Sequence, residues 1–438
     1  MKFPCRVKAR AGRFVPVLAL ASACLLAGCM GGDEASKSAS DPARAPVLDG
    51  KGQVVSSLIG ELRQRRTILA PGTAFSTVAE AIMTAGASSA ESELRVKRLT
   101  AKARSKNWLP SIGPDVSLTS LGELAARMLL DQTVFDNGRR RAERDFAAAD
   151  VEVAAVSLAT ELNQQVHDGL KLYLEARRAT ELAAITDTAL VRMADFERIM
   201  RIRHEGGLAD GSDYRVITQK QAEMQATLSS EREGAASAWA ELAAMTKRPM
   251  EGITGLSDLP PDQGQPQPLS VLLARGEAAR TAAEVRVARA GLFLGIGAKA
   301  SLERDGGLDA GLKLDGNGFG FGRGDNMKAL AETEEAARRR VDEAARDADR
   351  RIVALGREIA ELNAEQAQNA KILAEMEANL ILFTEQYRAG GRSLIDLVDQ
   401  FEAVVAMKRG HASLKYQIAQ ARLDIALLRG VLVDGAQM

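Results

Sequence analysis

Cysteine is almost absent from this chain. Its three cysteines, Cys5, Cys24 and Cys29, all fall within the first thirty of 438 residues. Beyond residue 30 there is therefore no disulfide framework, paired-cysteine metal site or cysteine nucleophile. Aromatic residues are also sparse, at 4% against 26% charged, a balance that suits long or coiled helices rather than a compact aromatic-rich core. The formal net charge is zero, from 58 basic and 58 acidic side chains, so neither nucleic acid nor a generally basic membrane-binding surface is indicated. After residue 30 no run approaches twenty apolar residues, which excludes a membrane-spanning helix there. His167, His204 and His411 lie far apart without ligand spacing and read as helix-surface residues. No nucleophile–base set is visible, so neither enzymatic activity nor a cofactor nor a metal is expected.

The N-terminus does carry a signal. Lys2, Arg6, Lys8, Arg10 and Arg13 form a positive region, and Phe14–Leu26 an apolar one too short to span a bilayer permanently. Leu26-Ala27-Gly28-Cys29 follows, which is similar to the bacterial lipobox, cut before the cysteine. An ordinary signal peptide with a cysteine after its small residues is the alternative. The expected division is a lipoprotein signal peptide at 1–28 and lipidation at Cys29, with Met30 pointing to the outer membrane by the usual sorting rule. Cleavage removes five positive charges and leaves 53 basic against 58 acidic residues. A single acyl anchor attaches a chain without making it span.

Residues 29–74 are rich in Gly, Ser, Ala, Asp and Pro, with one short amphipathic stretch at Val54–Leu69, and read as a tether. The rest divides into two halves of the same order, 75–247 and 269–432, joined by a Pro/Gly-rich connector at 248–268 and followed by a tail at 433–438. In the first half a helix is expected over Phe75–Lys106, halted by Asn107-Trp-Leu-Pro110. Two short strands follow within Ser111–Phe135. A helical run to His204 comes next, about 67 residues or about 100 Å long. After Gly206-Gly207 a helix runs from Asp213 to Thr246. In the second half the elements are a helix at Leu269–Ala290, strands at Leu292–Leu302 and Leu308–Phe321, a helix at Asn326–Tyr387, the Gly390-Gly391 break, and a last helix ending near Leu432. Phe135-Asp-Asn-Gly138 recurs as Phe321-Gly-Arg-Gly324, 186 residues on, and Gly207 recurs as Gly390, 183 residues on. The expected fold class is mainly α, with long antiparallel coiled-coil hairpins in two internal repeats and a strand pair in each.

The strand pairs alternate. Leu308, Ala310, Leu312 and Leu314 are interleaved with Asp309, Lys313 and Asp315, giving one apolar and one polar face, as in a barrel strand between lipid and water. Four strands alone would leave unpaired edges in hydrocarbon, whereas three chains giving four each could close a ring. A surface hairpin capping a helical bundle fits the same alternation. The long helices carry only a narrow apolar stripe, seen in Ala336–Leu362, which suits coiled-coil packing.

Both glycine breaks have one grammar. Gly207 and Gly390 supply the positive φ that stops a helix sharply. Asp210 and Ser393, three residues on, are placed to N-cap the returning helix, with Asp213 and Asp396 three further on near its positive end.

Duplicated coiled-coil hairpins with paired short strands behind a lipobox resemble the TolC family of outer-membrane efflux proteins, over about Phe75 to Leu432. The most specific elements are Asn107-Trp-Leu-Pro110, Val134-Phe-Asp-Asn-Gly138-Arg and Tyr387-Arg-Ala-Gly390-Gly-Arg392-Ser-Leu-Ile-Asp396. The strands depart from the family in being short and glycine-rich with few aromatics, and Ala290-Gly291 replaces the usual proline before the third strand. The resemblance implies a homotrimer with a 12-stranded β-barrel in outer-membrane lipid and a long periplasmic tunnel. It implies a passive exit duct of a tripartite efflux or type I secretion system, partnered by a periplasmic adaptor and an inner-membrane pump. It also places the glycine breaks, Gly206-Gly207 and Gly390-Gly391, at the periplasmic aperture. There Tyr387 and Arg392 are expected to bond Ser212 and Asp213 and hold the entrance closed, and Asp396 and Asp399 to form rings of like charge that raise their pKa values. The alternative is a lipid-anchored periplasmic adaptor or structural protein whose strands do not insert.

Overall fold

The computed structural model describes residues 46–48, 54–86, 89–118, 124–260, 265–303, 307–315 and 322–437. The signal region, Cys29 and the turn at 304–306 lie outside the described residues. A short hairpin, β1 (Val47–Leu48) and β2 (Val54–Val55), leads into α1 (Ser57–Gln64). The first repeat is α2 (Ala74–Ala85), α3 (Ser89–Arg104), β3 (Ser111–Leu118), β4 (Leu124–Phe135), α4 (Arg139–Glu205) and α5 (Gly211–Thr246). The second is α6 (Leu269–Gly291), β5 (Gly295–Glu303), β6 (Leu308–Asp315), α7 (Arg323–Arg388) and α8 (Leu394–Arg429). The helix lengths repeat closely: 67 and 66 residues in α4 and α7, each followed by one of 36.

The helix expected over Phe75–Lys106 is two helices, because Gly86 ends α2, its N–H bonded to the Ile82 carbonyl at 3.1 Å. The third strand starts at Gly295 rather than Leu292, since Leu292 and Phe293 still donate to the last carbonyls of α6.

The segment before Ala74 does not behave as a free tether from Val54 onward. Leu62 and Leu69 are buried in the main core. Arg65, 4% exposed, donates to the carbonyls of Arg429 at 2.5 Å and Gln267 at 2.6 Å. A guanidinium thus satisfies an orphan carbonyl at the C-terminus of α8, where a cation is favoured by the helix dipole. Ile68 donates to Val431, and Gly435 donates to Arg65, so the segment after α1 pairs with residues 431–435. The tail is tied down rather than trailing, with Val433 buried. What read as linker composition is held by backbone bonds, which composition does not reveal.

The scarce aromatics are concentrated. Phe75, Tyr173 and Trp239 pack edge-on at 6.0 and 5.8 Å between centroids, and the Tyr173 hydroxyl donates to the Gly255 carbonyl at 2.7 Å. That bond pins the Pro/Gly connector to the first repeat. Trp239 is buried in this cluster, whereas Trp108 is 60% exposed. Gly169 of α4 permits a close approach, because a Cβ there would lie 2.1 Å from Ile82 Cδ1 of α2. His167 is buried rather than on the helix surface, and bridges to Asp424 of α8 at 2.6 Å and to Asp168 at 3.2 Å.

The four strands form one antiparallel sheet in the order β3-β4-β5-β6. Strand pairs from the two repeats are joined through β4 and β5. The register places Ile112 opposite Leu130, Met128 opposite Leu302, Leu302 opposite Leu308, Ala298 opposite Leu312 and Ile296 opposite Leu314. One face is therefore apolar apart from Gln132, which lies opposite Ala298, and its large side chains are exposed within the single chain. The opposite face carries ion pairs, Arg127–Asp115 at 2.7 Å, Lys299–Asp131 at 3.9 Å and Lys313–Asp315. Among the described residues both β3 and β6 pair on one side only.

Candidate functional site

The two hairpin tips meet in a second core, separate from the main one. Met193, Phe196 and Met200 of α4, Ile217 of α5 and Leu394, Leu397 and Val398 of α8 are buried together, with Leu380, Phe383 and Tyr387 of α7 packed against them. Both glycine breaks therefore lie at one end of the helices, away from the strands.

The breaks are built alike. At the first, Gly207 has φ +69°, its N–H donates to the His204 carbonyl at 3.0 Å, and the Leu208 N–H donates to Arg203 at 2.7 Å. At the second, Gly390 has φ +77°, its N–H donates to Tyr387 at 3.0 Å, and the Gly391 N–H donates to Gln386 at 2.9 Å. These are two Schellman turns, each satisfying two carbonyls that a helix end leaves unpaired. Of each glycine pair only Gly207 and Gly390 need the left-handed region. Gly206 and Gly391 have ordinary φ.

The caps differ in strength. Ser393 accepts from the Asp396 N–H at 3.1 Å, and the Asp396 carboxylate accepts from the Ser393 N–H at 3.2 Å, a closed capping box. The Ser393 hydroxyl and backbone hold Asp396 below the usual carboxylate pKa. In the single chain this is opposite to the rise expected for a ring of like charges, because the carboxylate is committed to capping. Asp210 accepts from the Ser212 N–H at 3.4 Å and is likewise held low, by the backbone and hydroxyl of Ser212. Asp213, the counterpart of Asp396, makes no return bond among the described residues.

The four remaining aperture candidates divide differently from the sequence expectation. Among the described residues no hydrogen bond joins Tyr387 or Arg392 to Ser212 or Asp213. Tyr387 instead lies under the Arg203 guanidinium, 5.2 Å from its ring centroid, which links the end of α7 to the end of α4. Arg392 stacks on Phe383 at 3.9 Å and donates from Nε to Gln386 Oε1 at 2.7 Å. Asp399 is not a free carboxylate. Lys220 of α5 binds it at 2.9 Å and also binds Glu402. Burial alone would lower the Lys220 pKa, but bonds to Glu402 and Asp399 outweigh it and the net shift is upward.

Sequence reasoning missed Lys220, Arg203 and Glu402. A signal for two of them existed. Lys220 stands seven residues after Asp213 and Glu402 three after Asp399, spacings that share a helix face. Higher up, Arg409 of α8 pairs with Glu231 of α5, a second tie between hairpins. Among the described residues no group of three or more His, Cys, Asp or Glu side chains is disposed to hold a metal. No described helix is long and apolar enough to cross a membrane.

No sequence profile of a known protein family matches the chain, and no curated protein sequence does. Solved structures do match. The outer-membrane channel OprN is 16% identical, with a TM-score of 0.72 over 84% of this chain and 93% of that one. The outer-membrane protein VceC of Vibrio cholerae is 15% identical, with a TM-score of 0.68 over 86% of this chain and 95% of that one. The MtrE outer-membrane channel of Neisseria gonorrhoeae, solved in its open state, is 17% identical, with a TM-score of 0.61 over 90% and 92%. With nearly the whole length of each channel covered and the duplicated hairpins on one sheet, the chain has the fold of the TolC-type outer-membrane channels.

Proposed function

We propose that this chain is the subunit of a trimeric outer-membrane channel, a passive duct from periplasm to exterior that serves a tripartite efflux or type I secretion assembly. The sheet is the observation that carries the reading. Eight large apolar side chains, Ile112, Met128, Leu130, Ile296, Leu302, Leu308, Leu312 and Leu314, stand exposed on its one face, where a soluble chain would leave a large apolar patch in water. The nine residues of β5 extend about 30 Å, which at a strand tilt of about 40° is close to the ~25 Å apolar band of outer-membrane barrels. Two open edges make the single chain unfinished in lipid. Three copies with twelve strands remove them. The helices favour the same assembly: of the 66 residues of α7 only Ala337 and Ala348 are buried, which leaves a long face for neighbouring subunits.

In this reading the apolar face meets outer-membrane lipid and the ion-paired face lines water. The Schellman tips, Gly206-Gly207 with Asp210 and Gly390-Gly391 with Ser393, form the periplasmic aperture. Tyr387 and Arg392 hold it closed by bonding Ser212 and Asp213 of an adjoining subunit, and Asp396 and Asp399 ring its opening. Cys29 carries the lipid anchor. A periplasmic adaptor and an inner-membrane pump engage the helical end, and the pump selects the cargo because a wide water-filled duct discriminates little. The reading is tested on purified protein, which is expected to be a detergent-stable trimer that conducts ions in planar bilayers. A monodisperse, water-soluble monomer overturns it. Protease added to intact cells is expected to cut between β5 and β6, and complete protection there would favour strands that never insert.

A further inference from the structure

At the junction of helices and sheet lies a cavity of about 780 Å³ between the first turns of α4 and the last turns of α6. Arg141 and Asp145 come from α4, Arg286, Arg289 and Phe293 from the α6 side, and Val47 of β1 covers it. Its charge is unbalanced. Arg286 is paired with Asp145 at 3.3 Å, but Arg141 makes no hydrogen bond or ion pair among the described residues. The Arg289 side chain makes none either, and its Nε is buried without a partner. A buried unpaired guanidinium nitrogen costs free energy unless a ligand completes it. The placement of Arg141 is also locally unfavourable. Arg139, Arg140 and Arg141 crowd the first turn of α4, where the helix dipole disfavours cations. The other two are accounted for: Arg139 pairs with Glu143 at 3.3 Å, and Arg140 donates to the Asn107 carbonyl and to Thr133. Only Arg141 is left facing outward with no structural use.

The cavity is amphipathic and lies at a defined depth. β4 ends at Phe135, two residues before Asn137 of the cavity wall, and β5 begins at Gly295, two residues after Phe293. The pocket thus adjoins the lower edge of the apolar sheet face, with Phe135 and Phe293 exposed beside it. Two unpaired guanidinia next to apolar walls match a phosphate diester with hydrocarbon attached, because arginine binds phosphate oxygens through paired donors.

We propose that this cavity binds the headgroup of an anionic phospholipid in the periplasmic leaflet. Arg141 and Arg289 hold the phosphate, and Val47 and Phe293 contact the glycerol and first methylenes. The site fixes the height of the subunit in the membrane and neutralises the arginine cluster at the helix–sheet junction. It rests on the sheet being embedded in lipid, as proposed above.

The test uses the full-length trimer in detergent, stripped of lipid, with phosphatidylglycerol or inorganic phosphate titrated in and the unfolding midpoint followed. Phosphatidylglycerol is expected to raise the midpoint of the wild type saturably. In Arg141→Gln/Arg289→Gln the half-saturating lipid concentration is expected to rise about tenfold or more, the scale of lost charge-assisted bonds. Arg141→Gln alone, at an exposed position, guards against a folding defect and is expected to show a smaller shift in the same direction. Arg95→Gln, distant on α3, is expected to match the wild type. Equal responses of wild type and double variant overturn the proposal. A saturable rise with inorganic phosphate alone overturns it too, since the cavity would then be a site for a free anion. Conductance separates the two readings: channels of wild-type conductance from a variant with unaltered lipid response reject the lipid site and leave the duct standing, whereas a wild type that never conducts removes both.

Discussion

Lys220 of the first hairpin reaches across to Asp399 of the second, with Nζ 2.9 Å from Oδ1, and binds Glu402 through the same ammonium. One cation therefore holds two carboxylates of α8 against α5, close to the end where both hairpins turn. Lys220 is about a fifth exposed but Asp399 more than half, so solvent screening limits the tie to about 1 kcal/mol. That is still about a fivefold change in a two-state equilibrium. If the tips separate when the duct opens, Lys220→Met shifts the balance toward the open form. Single-channel recording is expected to show higher mean conductance or longer open times, more so at low ionic strength where the tie is stronger. Identical traces for wild type and variant would remove Lys220 from the closure.

Tyr387 and Arg392 make different contacts and separate in experiment. The Tyr387 ring sits beneath Arg203, a contact that phenylalanine keeps, whereas Arg392 uses its guanidinium on Gln386 and Phe383. A closure that works through the tyrosine hydroxyl across subunits predicts that Tyr387→Phe with Arg392→Ser raises conductance. A closure that works through the ring contact predicts an effect of Tyr387→Ala and none of Tyr387→Phe. Planar-bilayer conductance of the three variants decides between them.

The turn glycines give a sharper stability test. Gly390 has φ +77° and Gly391 does not lie in the left-handed region. Gly390→Ala is expected to cost about 1 kcal/mol and Gly391→Ala clearly less, although the two residues are adjacent. Ser393→Ala opens the capping box and is expected to cost about 1 kcal/mol as well. Thermal unfolding of the purified protein measures each. Equal costs at Gly390 and Gly391 would mean that the Schellman geometry is not what selects the pair.

Glu152 makes stability depend on pH. It is 3% exposed within α4 and receives the Ser56 hydroxyl. Burial pushes its pKa up from 4.5 to about 7, against the lowering effect of Ser56. The folded chain thus holds a proton that the unfolded chain has released, between about pH 4.5 and 7. The contribution of Glu152 to stability is complete below that window and is lost as pH rises through it, by on the order of 3 kcal/mol. His167 acts in the same direction. Burial opposes its charge, but Asp424 and Asp168 outweigh burial and raise its pKa, so its contribution is complete at low pH and lost as pH rises. Glu152→Gln is expected to unfold at a higher temperature than wild type at pH 8.5 and to retain only the His167 part of the pH slope. A wild-type melting temperature that rises from pH 5.5 to 8.5 would contradict both assignments.

Much of this architecture is legible in the chain because it is written locally and twice. Glycine, cap and carboxylate recur at matched spacing, and each Schellman turn needs only those residues. The strand pairs are legible for a similar reason, since alternation of Leu308 to Leu314 has a period of two. The ties between the two hairpin tips are not local. Nothing near Lys220 reports that Asp399, 179 residues later, will lie beside it, because that contact depends on how two hairpins pack. The same holds for Arg65 on the end of α8 and for His167 against Asp424. Residues 54–74 read as a tether because their apolar stretch is short, and composition does not show that Leu62 and Leu69 enter the main core or that backbone bonds and the buried Arg65 fasten the segment to α8 and the tail.

Trp108 reports directly on whether the sheet meets lipid. It is 60% exposed, and its carbonyl accepts from Gln132 of β4 at 3.0 Å, which places it at the helical end of the sheet. An exposed indole at the margin of an apolar face is the arrangement of an interfacial belt residue. The chain has two tryptophans, and the other, Trp239, is buried among Phe75 and Tyr173 on the helical side. Trp239→Phe therefore isolates the Trp108 signal at a modest packing cost. In vesicles its fluorescence is expected to be quenched by lipids brominated near the headgroup more strongly than by lipids brominated at the chain ends. Trp108→Phe, which leaves Trp239, is expected to be insensitive to both. Emission from Trp108 that responds to aqueous iodide and to neither brominated lipid would show that the sheet stands in water, and the duct would then have no membrane segment.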